Sequence, residues 1–225
     1  MALFGKGMLV VFNEVKKRDE ADFTEWYNRE HIDERIELPG FRRARRYVAV
    51  KAKPKFLATY ECSKVGDLAT PGYLALLANQ TAWSQRVMNK FTFFKRMTLR
   101  VQVDLTHGVG GALTCVRFAP HPSARNGLRA WLKDEVLPKA IAMPGMLGAA
   151  AAENDLDIAN APGKGKNFDY PRTDDAEWIV MLESQEAANG EAAAKKLFKL
   201  SSLKKFGVKN APIVGSYRLL FGHSR

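Results

Sequence analysis

Cysteine is scarce. The 225-residue chain holds only Cys62 and Cys115, far apart and without a Cys-x-x-Cys pair. That excludes a disulfide framework and a cysteine-built zinc site, and a reducing cytoplasm is the expected setting. Histidine is sparse too. His31, His107, His121 and His223 show no His-x-x-x-His or His-Glu-x-x-His spacing, so no metal site is expected. No apolar run approaches the roughly 20 residues of a bilayer span. The opening MALFGKGMLVVF is too short and too soon charged for a secretory signal. Gly-x-Gly-x-x-Gly, a P-loop and Gly-x-Ser-x-Gly are all missing, which removes support for nucleotide cofactors and serine hydrolysis. Gly163-Lys164-Gly165-Lys166 lacks the flanking strand and helix of a phosphate cradle and reads as mobile loop. No cofactor is expected.

What is present is ordinary in bulk, with 46% apolar and 26% charged residues, and unusual in sign, with a net charge of +11. The positive charge is dispersed. Its densest clusters are Arg42-Arg43-Ala44-Arg45-Arg46 and residues 195–209, and neither forms a basic tail or an aromatic-rich RNA-binding signature. A solvated basic surface is therefore expected rather than a nucleic-acid partner or a membrane.

The strongest internal signal is a repeat. Phe23 to Phe41, FTEWYNREHIDERIELPGF, returns as Leu128 to Met146, LRAWLKDEVLPKAIAMPGM. Trp26 matches Trp131 and Pro39-Gly40 matches Pro144-Gly145, both at 105 positions (131 − 26 and 144 − 39). Glu30, Ile32 and Ile36 match Glu135, Leu137 and Ile141. Such a fixed-period echo points to a duplicated unit. His31 matches Val136, so one copy holds an imidazole where the other is apolar.

Hydrophobic periodicity around these helices gives the rest. Residues 7–15 form a strand. A helix capped by Asp19 runs to about Glu37, ended by Pro39-Gly40. Strands follow at 41–50 and 56–62, helical stretches to about 89, and an alternating strand at 95–105. This βαββαβ order is ferredoxin-like. His107 to Gly111 is a Gly-rich linker, after which the order repeats with a longer polar loop at 154–175. The expected fold is α+β: two tandem ferredoxin-like repeats, residues 1–107 and 108–225, forming an intramolecular α+β barrel. A bare sheet face needs a partner, and two such faces would enclose a ligand chamber.

Trp26-Tyr27-x-x-x-His31 followed by Leu38-Pro39-Gly40-Phe41 resembles the EthD-like proteins of the dimeric α+β barrel superfamily. The resemblance is good over residues 7–62, weaker over 63–105, and carried in the second half by Trp131 and Pro144-Gly145. Members of that superfamily typically pair two chains, each of about one repeat, and this chain looks like a fused version. The superfamily includes cofactor-independent monooxygenases, lactone isomerases, polyketide cyclases and haem-handling enzymes. The resemblance therefore implies a cavity for small aromatic or enolisable molecules, with the helix histidine facing it. One fold hosts many activities, so it does not supply a substrate.

His31 is the leading candidate for catalysis, with Tyr27 four residues earlier on the same helix face. An imidazole with an ordinary pKa near 6.5 is suited to moving protons at neutral pH. The alternative is a buried, hydrogen-bonded core histidine. Arg43, Arg45 and Tyr47 share one strand face and are candidate substrate binders, an arginine clamping a carboxylate or phenolate through its planar fork. Arg42 and Arg46 are the opposite pair, and Arg35 is a helix-borne cation. Trp83, Tyr60 and Phe56 are candidate lining residues, and Trp26 and Trp131 read as core. A lone histidine could ligate haem, but no haem motif is visible. The expected function is a cofactor-independent enzyme acting by acid–base chemistry on a small aromatic or enolisable carbonyl or carboxylate compound, as an isomerase, cyclase, dehydratase or monooxygenase. The alternatives are a non-catalytic barrel that binds a small hydrophobic ligand or serves a stress role, and an interaction protein using its basic surface. Pairing of two tandem chains as a homodimer stays open.

Overall fold

Eight strands close into a barrel whose every seam is antiparallel, in the order β1-β3-β2-β8-β5-β7-β6-β4. The computed structural model describes residues 3–162 and 170–225, so the Gly163-Lys164-Gly165-Lys166 segment lies outside the described residues. β1 (Gly7–Val15) leads into α1 (Glu20–Trp26), which widens through a π-helical turn at Tyr27–His31 and resumes as α2 (Ile32–Ile36). Asp19 stands at the N-cap without a side-chain cap bond, because a 3-10 turn, Lys17–Asp19, precedes it. Then come β2 (Phe41–Lys51), β3 (Phe56–Cys62), α3 (Pro71–Ala78), α4 (Ala82–Met88) and β4 (Phe91–Asp104). Thr70 and Thr81 cap α3 and α4 by accepting from the Tyr73 and Ser84 backbone N–H groups.

The second stretch follows the same succession. β5 (Ala112–Phe118) precedes α5 (Arg125–Trp131), a π-helical turn at Leu132–Val136, and α6 (Leu137–Ile141). β6 (Met146–Asn154), the short α7 (Leu156–Ala159), β7 (Trp178–Ser184), α8 (Ala187–Leu197), α9 (Leu200–Leu203) and β8 (Ile213–Ser224) complete it. The barrel order reads as two blocks, β4-β1-β3-β2 and β8-β5-β7-β6, joined at the β2–β8 and β4–β6 seams. No helix among the described residues is long and apolar enough to cross a membrane.

The lumen corrects one expectation. It is a packed core, not a chamber. All eight strands send side chains into it, among them Met8, Phe12, Tyr47, Leu57, Leu99, Leu113, Ala150, Met181 and Tyr217. An eight-stranded barrel is just wide enough to be filled in this way. The opposite strand faces pack against helices in two further cores, one per half. A β-bulge between Phe41 and Arg43 sets the faces of β2. It puts Phe41 on the helix side with Ala44 and Val48, rather than beside Arg45 and Tyr47 as simple alternation predicts.

Candidate functional site

The described open space nearest His31 lies outside the barrel, between the first half's sheet and helices. Its empty space, the part open to solvent included, is about 360 Å³. Leu9, Val11 and Tyr60 form its floor on β1 and β3. Trp26, Tyr27, His31 and Arg35 face it from the α1–α2 helix, Tyr73, Leu77 and Met88 from α3 and α4, and Phe91, Phe94 and Arg96 from β4. Tyr170 closes it from the β6–β7 connection of the second half. No aspartate or glutamate is among these lining residues.

The π-helical turn places the key side chains. Ile32 donates its backbone N–H to the Tyr27 carbonyl, five residues back. One extra residue per turn brings Trp26, Tyr27 and His31 together as a cluster, with His31 4.0 Å from Trp26 and 4.8 Å from Tyr27 between ring centres. His31 is 9% exposed and its Nδ1 has no hydrogen-bond partner. Burial, reinforced by the positive charges of Arg35 and Arg46, pushes its pKa well below the ordinary 6.5. The imidazole is therefore neutral at physiological pH.

Tyr27 is anchored, donating from its hydroxyl to Asn13 Oδ1 at 3.0 Å. Burial pushes its pKa up to about 12 despite Arg46, whose guanidinium lies 4.5 Å from the ring. Burial holds Tyr60 well above its usual range and pushes Tyr170 up to about 12. All three phenols remain protonated donors. Arg35 is 3% exposed and donates from Nη1 to the His31 carbonyl at 3.3 Å and to Glu34 at 2.6 Å. The site thus combines a neutral base, neutral phenols, buried cations and aromatic walls. Chemically it suits removal of a proton from a flat, weakly acidic molecule and stabilisation of the resulting anion.

The other expected binders lie elsewhere. Arg43, Arg45 and Tyr47 project into the lumen, across the sheet from His31. Arg43 grips Glu61 with Nε and Nη2 at 2.7 and 2.9 Å. Arg45 pairs with Glu183 and with Glu61, the latter at 3.3 Å, and Glu183 also accepts from the Gly110 N–H at 3.1 Å. Buried carboxylates from β3 and β7 thus claim these arginines. Trp83, on α4, is outside the cavity lining and donates from Nε1 to Asp22 at 2.9 Å. Phe56 packs on Phe23 at 4.8 Å. Trp26, read as core, is fully buried and also lines the cavity, whereas Trp131 is half-buried against Phe206.

Arg96, Tyr73, Phe91, Phe94 and Tyr170 escaped the sequence reading. Arg96 shares the parity of Thr98 on β4, which is the one signal that could have found it. At the shift of 105, the second half has Leu132, Val136 and Ala140 in place of Tyr27, His31 and Arg35, and these close a dry core.

No group of three or more potential metal ligands occurs among the described residues. Haem does not fit the space beside His31. The imidazole is covered by the Trp26 and Tyr27 rings, which leaves no approach for an iron centre.

No family model and no curated protein matches the chain. Solved structures do share its fold. An anthrone oxidase-like protein superposes with a TM-score of 0.68 at 12% identity, covering 100% of this chain and 95% of that one. A candidate monooxygenase from Lactobacillus acidophilus NCFM gives 0.59 at 12% identity, covering 97% and 95%. A candidate chlorite dismutase, TA0507, gives 0.57 at 12% identity, covering 96% of each. The chain is similar to these proteins in architecture, that of the α+β barrel fold.

Proposed function

We propose that this α+β barrel is a cofactor-independent enzyme that deprotonates a small aromatic or enolisable carbonyl compound. The observation that carries the reading is the neutral His31, its Nδ1 without a hydrogen-bond partner, on the wall of an aromatic cavity whose described lining residues include arginines and no carboxylate. His31 takes the proton, Tyr27 fixes the ring's surroundings through Asn13, and Arg35 opposes the charge that develops on the substrate. The anion in turn favours the imidazolium, reversing the penalty that keeps free His31 neutral. Isomerisation, cyclisation, dehydration and, with dioxygen as the oxidant, oxygen insertion can each begin with this step, and the names of the anthrone oxidase-like and monooxygenase neighbours favour the last.

The organisation behind the site is a pair of fused ferredoxin-like units of the EthD-like type, residues 1–107 and 108–225. The repeated strand order, the two π-helical turns and the left-handed Gly40 and Gly145, both pairs 105 positions apart, support this reading. In it only the first unit retains the polar cluster.

The test is exchange of the acidic C10 hydrogens of anthrone for deuterium under nitrogen, followed by mass spectrometry. Exchange should be accelerated by the protein and should fall roughly 10²–10⁴-fold in His31→Gln with anthrone binding retained. Binding without accelerated exchange would leave a carrier of small aromatic ligands instead of an enzyme.

A further inference from the structure

The His31 cavity adjoins an outer space of about 660 Å³, the part open to solvent included, and the two share Phe94, Arg96 and Tyr170 as a common wall. Arg96 is singular among these residues. Its Nη1 donates to the Ala159 carbonyl at 3.3 Å, while Nε and Nη2 are buried with no hydrogen-bond partner. A guanidinium does not lose its charge, so unmet donors of this kind are costly until something accepts from them. The ring faces of Tyr73 and Tyr170, each 5.9 Å away, hold the group without satisfying those donors. Asp175 also faces the outer space, but it is bound to Lys95.

Nε and Nη2 form the edge of the guanidinium that accepts two oxygens side by side. Arg43 uses that same edge to hold both oxygens of Glu61. In Arg96 that edge has no hydrogen-bond partner, and the residue lines both the inner cavity and the outer space. We propose that the ligand is an aromatic carboxylate, its ring in the inner cavity beside His31 and its carboxylate gripped by Arg96. This rests on the reading of the cavity as the substrate site and adds the substrate class.

Calorimetric binding of 2-naphthoate and of its neutral counterpart 2-naphthalenemethanol to the full chain tests it. The wild type should prefer the carboxylate by at least about tenfold. Arg96→Gln should abolish that preference by weakening binding of the carboxylate. If Arg96→Gln fails to bind even the alcohol, Arg96→Lys decides, because it keeps the charge and loses the fork; most of the preference should vanish there. His31→Gln should retain the preference, so binding and proton abstraction are judged separately. A wild type that binds both probes equally or binds neither, or an undiminished preference in the Arg96 variants, would overturn the assignment.

Discussion

His31 differs from Val136 by one imidazole, and that difference sets a pH dependence. Its folded pKa lies well below 6.5, so between the two values the unfolded chain takes up a proton that the folded chain refuses. Stability should therefore be full above pH 6.5 and decline as pH falls below it. His31→Val should flatten this slope in melting curves taken between about pH 5 and 6.5. Tyr27→Phe should cost about 1–3 kcal/mol in urea unfolding, since it leaves the buried Asn13 carbonyl without its donor. At this scale the sequence was informative where chemistry was local. Tyr27, His31 and Arg35 lie on one helix at four-residue spacing and could be read together. Arg96 and Tyr170 could not, because 60 to 140 residues of chain separate them from the helix they meet and no periodicity reports such an encounter.

Helix-to-strand turns are the elements on which the site's alignment rests. Gly40 and Gly145 end α2 and α6 at φ of +95° and +75°. A Cβ at Gly40 would meet Asp67 at 2.4 Å, and one at Gly145 would meet Asn189 at the same distance. Gly40→Ala should destabilise by at least about 1 kcal/mol, from left-handed strain compounded by that clash, with a parallel loss for Gly145→Ala. Thermal denaturation of each variant checks this. The Pro-Gly pairs made both turns legible in advance. The bulge at Phe41–Arg43 was not, because an added residue in a strand leaves the composition of both faces plausible. It decides that Arg45 enters the lumen and that Arg46 meets Tyr27.

Across the whole molecule, one buried cluster ties the halves together. Arg45 on β2 joins Glu61 on β3 to Glu183 on β7, all of them 4% exposed or less. Arg45→Met should lose about 3–5 kcal/mol in urea denaturation, because Glu183 would keep only the Gly110 N–H. Adding Glu183→Gln should recover much of that loss, as the uncompensated charge is then gone. The α+β barrel was foreseeable from strand order and from the need to cover two bare sheet faces. Its filled lumen was not, since volume is a property of the closed ring and not of any strand. The order of seams also matters during synthesis. β8 lies between β2 and β5, so the edge of β2 stays open on the ribosome until residues 213–224 have emerged. The nascent chain carries that unpaired edge through most of translation, a window in which chaperone supply rather than native stability governs yield.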